Sequence, residues 1–277
     1  MNLRRKLIDK LWLGLALVAV VLALAPLASI IYYVALKGIS TISWKFLTEN
    51  PSPLGVGGGI ANALQGSLIV IALASAIGIP IGLLSGVYVS EYGNGWYAQG
   101  IRFLADVLAG IPSIVTGIFV YALVVIGLHG FSAFAGGVAL GFIEIPIVSN
   151  TTGEALKLVP NSLREASTAL GVRKWRTIFL MMANSVSGIV TGILLATARA
   201  LGETAPILLT AFGSYNSFTG LFNPIMVMPL LIFQNAVSGT PSLVAQAWGA
   251  SFILLITVLG INILVRIVTR GRIHYAQ

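Results

Sequence analysis

The chain has 277 residues, of which 57% are hydrophobic and only 9% are charged. Soluble domains carry about a quarter charged residues, so this composition excludes a soluble globular protein and predicts a membrane protein. Cysteine is absent and the two histidines, His129 and His274, are far apart, which excludes disulfides, thiol nucleophiles and a zinc-type metal site. The net charge of +8 lies in short clusters between uncharged stretches, a pattern of membrane topology rather than of nucleic-acid binding.

Three segments in the first half of the chain are long and apolar enough to cross a bilayer, which takes about 20 residues. Residues 11–36 follow a basic cluster and are too long for a secretory signal, so they predict an uncleaved first span. Residues 37–59 contain Pro51, Pro53 and a glycine run, which predict a loop. Residues 60–89 predict a second span that ends in a polar turn. Residues 102–126 predict a third span with a kink at Pro112.

The second half of the chain predicts three more spans around one polar segment. Residues 131–150 predict a fourth span, after a glycine-containing stretch over 127–137. Residues 151–176 form the most polar segment. A fifth span is predicted over 177–201 or a little beyond, and a sixth over 243–265. Between them, 213–224 is rich in Gly, Ser, Asn and Pro and predicts a loop that extends as far as Pro229 and includes a short re-entrant helix.

The basic residues predict the orientation of these six spans. An even number of spans places both termini on one side of the membrane. All but three of the 16 basic residues then fall on that side or at its boundary, and the exceptions are Lys37, Lys45 and Arg199. Because basic loops stay in the cytoplasm, the sequence predicts an all-α membrane protein with cytoplasmic N- and C-termini.

The polar segment contains a short amphipathic helix. Asn161 or Ser162, after Pro160, can cap its beginning, and Gly171 can end it. A helix of this kind can lie among the lipid headgroups or dock onto another protein, and the pattern alone does not choose between these two alternatives. The apolar residues that share one face are Leu163, Ala166 and Leu170.

The string Glu165-Ala166-Ser167, followed by Gly171, resembles the EAA loop of ABC-importer permeases. In that family the loop forms a coupling helix that docks into a groove of a separate ATPase subunit. The resemblance implies that Arg164, Glu165, Ala166 and Gly171 take part in this coupling. The family pattern continues to a Leu-Pro pair near positions 183 and 184, where this chain has Ala183 and Asn184.

Further strings resemble the PstA-type permeases of phosphate importers over about residues 40–268. This resemblance implies the type I ABC importer permease fold, with a permease domain over 60–268 that contains the coupling loop 151–176. It implies an N-terminal region of 1–59, with a tail, the first span and an external loop, and a cytoplasmic tail of 269–277. Phosphate permeases commonly carry Arg and Glu where this chain has Asn150 and Gly153. The matching strings start at Gly57-Gly58-Gly59, Gly78-Ile79-Pro80, Val87-Tyr88-Val89, Leu108-Ala109-Gly110-Ile111-Pro112 and Ala198-Arg199-Ala200-Leu201-Gly202-Glu203-Thr204-Ala205-Pro206.

Arg199 and Glu203 are the predicted residues of the translocation pathway. An ionised side chain within a span costs about 2.5–3.5 kcal/mol, so such residues usually have a function. A spacing of four places both on one helical face, where guanidinium donors suit phosphate oxygens and the carboxylate tempers their charge. Two alternatives remain open: an ion pair that joins helices, and an Arg199 that extends to the membrane interface. Pro206 is expected to bend or end the helix beyond them.

Three other ionisable residues near the spans need an explanation. Arg102 and Asp106 are four residues apart at the start of the third span and predict a structural ion pair. Glu144 is an isolated carboxyl group in the fourth span, and the sequence leaves open whether it is protonated or paired. The sequence also leaves open whether the task of the charges absent at 150 and 153 is lost or passes to Glu144, Glu154 or a partner.

The resemblance also implies partners. They are a paired PstC-type permease, a dimer of PstB-type ATPase subunits and an extracytoplasmic PstS-type phosphate-binding protein, in a cytoplasmic membrane that this chain crosses several times in contact with lipid. No Gly-x-x-x-x-Gly-Lys-Ser/Thr loop occurs, so we expect no ATPase activity and no cofactor in this chain, with ATP and Mg used by the partner. The alternatives are a sulfate- or molybdate-type permease and, less favoured, an ion-coupled secondary transporter or an intramembrane enzyme.

Overall fold

A computed structural model describes residues 3–52, 58–93 and 95–270, and all regular secondary structure within these ranges is helical. This confirms the predicted all-α class. Pro53 and Gly57 of the predicted external loop, and residues 271–277 of the predicted tail, lie outside the described residues. The helices are α1 (Leu3–Ile39), α2 (Trp44–Thr48), α3 (Ala61–Glu91), α4 (Trp96–Gly110), α5 (Ser113–Val120) with a π-helical continuation (Tyr121–Val125), α6 (Ala133–Lys157), α7 (Asn161–Ala169), α8 (Lys174–Asn184), α9 (Val186–Leu201), α10 (Ala205–Thr210), α11 (Met228–Ala236) and α12 (Pro241–Arg270).

The centre of the molecule is the pair α3 and α6, which pack side by side through glycines. A Cβ atom added to Gly78 would lie 2.8 Å from Cβ of Glu144, and one added to Gly82 would lie 2.7 Å from Cβ of Val148. Gly86 approaches the backbone at Ser149 just as closely. Small residues at a spacing of four let the two backbones approach, as is common between membrane helices.

The register of these contacts shows that α3 and α6 run parallel, since positions 78, 82 and 86 meet positions 144, 148 and 149 in the same order. Residues 92–132 must therefore return the chain from the end of α3 to the beginning of α6. In the same way α9 runs antiparallel to α6, because Gly188 contacts Ala155 and Gly192 contacts Thr151. Within the described residues, four helices are long and apolar enough to cross a membrane. The number equals the predicted six when each of two bent helix pairs is counted as one span.

The third span differs from the single kinked helix that the sequence predicts. The predicted range 102–126 is divided between α4 and α5, which meet at an angle of 107°. Pro112 lacks an N–H group, and Ile111 before it takes an extended conformation (φ −73°, ψ 131°), so the helix ends there instead of bending. The chain turns a corner, and α4 lies across the direction of α5.

The fifth span is also not one helix. The predicted range 177–201 is divided at Ser185 into α8 and α9, which meet at 70°. The Ser185 hydroxyl donates to the Ala155 carbonyl at 2.9 Å, which fixes the corner against α6. Met181 on α8 is buried against Leu156 and Val159, so packing across the end of α6 holds α8 at this angle.

The boundary between the fourth span and the coupling loop lies later in the chain than predicted. Helix α6 continues to Lys157, so residues 151–157 of the predicted loop are helical and extend the fourth span. Thr152, Ala155 and Leu156 are buried against neighbouring helices, which stabilises this additional helical length. The connection between α6 and α8 therefore comprises residues 158–173 and contains the short helix α7.

The opposite end of the molecule holds the predicted loop and a short helix. Residues 211–227 contain no helix, and α11 follows with Leu230 and Leu231 fully buried. The loop covers the beginning of α6, where the Ala133 N–H group donates to the Asn223 carbonyl at 3.0 Å. Residues 8–33 of helix α1 are almost all exposed. The carboxyl end of α1 packs against α12, where Gly38 is buried and the Lys37 ammonium lies 5.6 Å from the Trp248 ring centre.

Candidate functional site

The coupling segment forms a separate short helix, α7, at the end of the molecule where α3 and α6 end. Pro160 precedes its first residue, Asn161, as the sequence predicts, although no side chain caps its N-terminus. Its only buried residue is Ser167, whose hydroxyl lies 2.7 Å from that of Thr177 on α8. The predicted apolar face points away from the chain, and its exposed residues are Leu163, Ala166 and Leu170, beside the exposed Glu165.

Gly171 ends this helix through its backbone conformation. Its φ of +69° lies in the left-handed region, which favours glycine, and its N–H group donates to the Thr168 carbonyl at 2.9 Å. A Cβ added there would meet nothing within 4 Å. A larger residue at this position is therefore opposed by backbone strain and not by crowding.

Arg164 points into the chain and not outward with Glu165. Its guanidinium binds the Glu91 carboxylate at the end of α3 through two contacts, Nη2–Oε1 at 2.8 Å and Nε–Oε2 at 3.4 Å. It also donates to the carbonyls of Leu156 (2.8 Å) and Val159 (3.0 Å). The Arg164 donors are thus taken by α3 and the end of α6, and its predicted part in coupling stays a prediction.

The structure brings Arg199 and Glu203 together, but not on one helix. Helix α9 ends at Leu201, so Glu203 lies in the break before α10. The distance from Arg199 Nε to Glu203 Oε1 is 3.9 Å, too long for a hydrogen bond. The Arg199 side chain is 61% exposed and that of Glu203 is 18% exposed. Pro206 stands in the first turn of α10, so it begins the next helix and does not end α9 as predicted.

Two small cavities flank this pair at the middle of α6. Arg199 lines one of about 30 Å³, together with Ile143, Pro146 and Ile147 of α6 and the turn around Ile111. Glu203 lines another of about 10 Å³, whose other walls come from α3, the end of α9, the segment around Val227 and single residues of α6 and α10. Each is about the size of a water molecule, so neither encloses a larger anion. The guanidinium instead faces the outside of this chain.

Arg102 and Asp106 do not form the predicted ion pair, since no nitrogen–oxygen distance between them is within 4.0 Å. Both side chains are exposed, where solvent screening leaves little energy to hold such a pair together. Both line a cavity of about 280 Å³ at the end of the molecule where α7 lies, and Asn150 and Gly153 line the same cavity. These two residues of α6 thus face Arg102 and Asp106.

Glu144 faces α3 and not the Arg199 cavity. It is fully buried, and its Oε1 accepts a hydrogen bond from Ser75 at 3.3 Å, whereas Oε2 has no partner. The side of α6 that carries Ile143, Pro146 and Ile147 lies between it and Arg199. Its position gives no support to the alternative in which Glu144 replaces the charges absent at 150 and 153.

Sequence reasoning missed Glu91 as a site residue. It stands 73 positions before Arg164, so no local spacing connects the two. The available signal was its chemistry: it is the first charged residue after Glu49 and ends a long uncharged helix. A carboxylate at that place needs a partner where the helix leaves the apolar region.

Comparison with known proteins agrees with this architecture. The profile of the family described as binding-protein-dependent transport system inner membrane component matches residues 78–273. The phosphate transport system permease protein PstA of Yersinia pestis is 42% identical over 269 residues, which cover 96% of this chain and 91% of that protein. PstA of Haemophilus influenzae is 41% identical over 271 residues, 96% of each, and PstA 1 of Mycobacterium tuberculosis H37Rv is 37% identical over 271 residues, 95% of this chain and 88% of that protein.

Solved structures confirm the predicted fold. An inward-facing MetNI methionine ABC transporter superposes with a TM-score of 0.60 at 16% identity, over 77% of this chain and 94% of that one. A bacterial alginate ABC transporter, in complex with an alginate-bound periplasmic protein, superposes with a TM-score of 0.60 at 17% identity, over 94% of this chain and 96% of that one. The type I ABC importer permease fold is thus shared with both. By the profile match and by its identity to relatives over nearly its whole length, the chain belongs to the binding-protein-dependent inner membrane components and, among them, to the PstA family of permeases.

Proposed function

We propose that this chain is the permease subunit of an ATP-driven importer of inorganic phosphate in the inner membrane. The observation that carries the proposal is the identity of about 40% over nearly the whole chain to several permeases named for phosphate transport. The geometry supports a passive transport subunit, because the conspicuous features are an exposed short helix at one end and an exposed arginine at the middle of a helix bundle.

A separate ATPase would drive the transport. The chain has no phosphate-binding loop of its own, so ATP and Mg would be bound by the partner and not by this subunit. Helix α7 suits the docking role because its apolar face and Glu165 are unpartnered within the described residues, while Arg164 holds its other side against the chain. An apolar face with a charged neighbour is a common form of helix that binds in a groove.

The pathway would lie between this chain and a paired permease. A guanidinium that faces lipid costs several kcal/mol, so the exposed Arg199 favours an assembly in which a second chain or water covers this face. Its donors are then available to phosphate oxygens, and Glu203 is close enough to weaken the hold on the anion. A phosphate-binding protein would deliver the anion at the opposite end, where residues 211–227 lie.

The substrate is tested with the purified complex, its ATPase and its binding protein in proteoliposomes. We expect phosphate, and not sulfate or molybdate, to stimulate ATP hydrolysis and to enter the vesicles only when ATP is present. Stimulation by sulfate or molybdate without a response to phosphate would replace the proposed substrate. Uptake driven by an ion gradient without ATP would show a secondary transporter.

The docking role of α7 predicts that Glu165→Lys and Gly171→Leu reduce ATP-driven uptake by about tenfold or more, the first through charge and the second through the strained φ at 171. The measurement is phosphate uptake beside the amount of chain inserted in the membrane, which should stay unchanged. Lys157→Gln is the control, because it removes an exposed charge from the same end outside α7. Full uptake by both variants would contradict the docking role.

A further inference from the structure

The buried ion pair between Glu91 and Arg164 is the strongest polar connection between α7 and the helix bundle. The carboxylate is 8% exposed and the guanidinium 24% exposed, and two nitrogen–oxygen contacts join them. A charged pair with two contacts fixes orientation as well as distance. The neighbouring pair Lys157–Glu154, in contrast, is 55% and 71% exposed and lies within one helical turn of α6. It connects nothing to α7.

Arg164 also binds the end of α6 through the carbonyls of Leu156 and Val159. Carbonyls in the last turn of a helix lack partners within the helix, so the guanidinium completes this end. Loss of Arg164 would therefore disturb α6, α7 and α3 together. Loss of the Glu91 carboxylate removes the connection to α3 alone and leaves the bonds from Arg164 to α6, so Glu91 is the more informative residue.

Helix α3 connects this pair to the middle of the molecule. It continues unbroken over 31 residues, roughly 46 Å, through Pro80. The close contacts of Gly78 and Gly82 with α6 flank that proline, so tight packing supports the helix at the one place where a bond is missing. Nearer its beginning, Ser67 and Ile71 line the cavity beside Glu203. The Ser67 hydroxyl also accepts a hydrogen bond from the Met228 N–H group at 2.8 Å.

We propose that Glu91 is a positioning residue that transmits the movement of α7 directly to α3, which in turn moves the wall of the cavity beside Glu203. This inference rests on the proposed function, since it requires an ATPase that moves α7. The covalent path from α7 to the Glu203 region runs through α8 and α9. The inference adds a second path, through the contact between Arg164 and Glu91, which are 73 positions apart in sequence. A stiff, desolvated ion pair can transmit displacement, whereas an exposed pair such as Lys157–Glu154 cannot.

The test compares Glu91→Gln with Glu154→Gln in the full complex reconstituted with its ATPase and binding protein. We expect Glu91→Gln to keep the ATPase bound and active but to lower the phosphate transported per ATP hydrolysed by about fivefold or more, the size of a lost coupling contact. Glu154→Gln removes a carboxylate at the same end and should keep the wild-type ratio. An unchanged ratio in Glu91→Gln would overturn the inference. So would release of the ATPase by that variant, because the pair would then only hold α7 for docking.

A rescue experiment separates transmission from simple folding. The chain has no cysteine, so Glu91→Cys and Arg164→Cys can be joined by a short bis-methanethiosulfonate reagent that reductant cleaves. We expect the double variant to hydrolyse ATP with little transport, to recover transport when joined and to lose it again after reduction. Full transport by the double variant before it is joined would overturn the inference. Glu91→Asp, which keeps the charge, should retain more coupling than Glu91→Gln.

The outcomes for the two proposals are distinct. If the wild-type complex shows no ATPase stimulation by phosphate, the proposed function fails. If the wild-type complex transports phosphate and Glu91→Gln does so at the same ratio to ATP, only the role of Glu91 fails.

Discussion

At the scale of single residues, the environment of Arg199 determines what it can do. It lies on the part of α9 that faces the middle of α6, and its guanidinium is largely exposed with Glu203 just beyond hydrogen-bond distance. At 3.9 Å the two side chains form a loose ion pair without a hydrogen bond, so the guanidinium keeps its donors available. Free donors of this kind suit an anion pathway.

We expect Arg199→Gln to lower phosphate uptake by about tenfold or more while the complex still assembles and binds its ATPase. Arg199→Lys should keep part of the uptake, because it preserves the charge but not the planar donors. The measurement is uptake in proteoliposomes at several phosphate concentrations. Arg176→Gln is the control, since Arg176 is exposed on α8 beside Trp175 and faces neither cavity. Wild-type uptake by Arg199→Gln would make Arg199 a structural charge.

At the scale of elements, the parallel pair α3 and α6 forms the closely packed centre of the bundle. The glycines at 78, 82 and 86 bring the backbones so close that no side chain fits between them. Contact at this distance depends on van der Waals packing, which is lost steeply when helices separate. The third and fifth spans are each divided at a corner, at Pro112 and at Ser185. In each span one helix packs along the pair α3 and α6, and the other turns away from that direction.

Gly82→Ala is expected to destabilise the folded chain by about 1–3 kcal/mol, because its Cβ would lie 2.7 Å from that of Val148 and 2.9 Å from the Ile145 carbonyl oxygen. The matched control is Gly260→Ala on α12, where an added Cβ meets nothing within 4 Å and the change should be neutral or stabilising by up to about 1 kcal/mol. Thermal unfolding of the purified complex in detergent measures both. Equal melting temperatures for the two variants would contradict the role of close packing.

At the scale of the whole molecule, the contacts define two ends. The coupling end holds α7 and the ends of α3 and α6, and the opposite end holds residues 211–227 and the beginning of α6. Counting each bent pair as one crossing gives six, so the described residues begin and end at the coupling end. The excess of basic residues at that end favours a cytoplasmic position for it.

This orientation predicts the labelling of single cysteines introduced into the cysteine-free chain. Ser162→Cys on α7 and Thr219→Cys in the loop are both at exposed positions. A maleimide that cannot cross membranes should label Thr219→Cys in intact spheroplasts and label Ser162→Cys only after permeabilisation. The reverse pattern would invert the orientation and would remove the coupling helix from the side where ATP is found.

The sequence by itself determined the features that depend on local chemistry. The six hydrophobic segments, the short helix after Pro160 and the left-handed turn at Gly171 follow from runs of apolar residues and from the backbone limits of proline and glycine. Tertiary structure alone decided which side chains meet across the bundle. Arg164 turns inward because Glu91 lies beside it in space but 73 positions away in the chain. Likewise, Arg102 and Asp106 remain apart despite their helical spacing. Helix α8 turns away from α9 because Met181 packs on the end of α6. Glu144 faces α3 because the glycine contacts set the register of α3 against α6. Such contacts depend on packing between distant segments, which local sequence patterns do not encode.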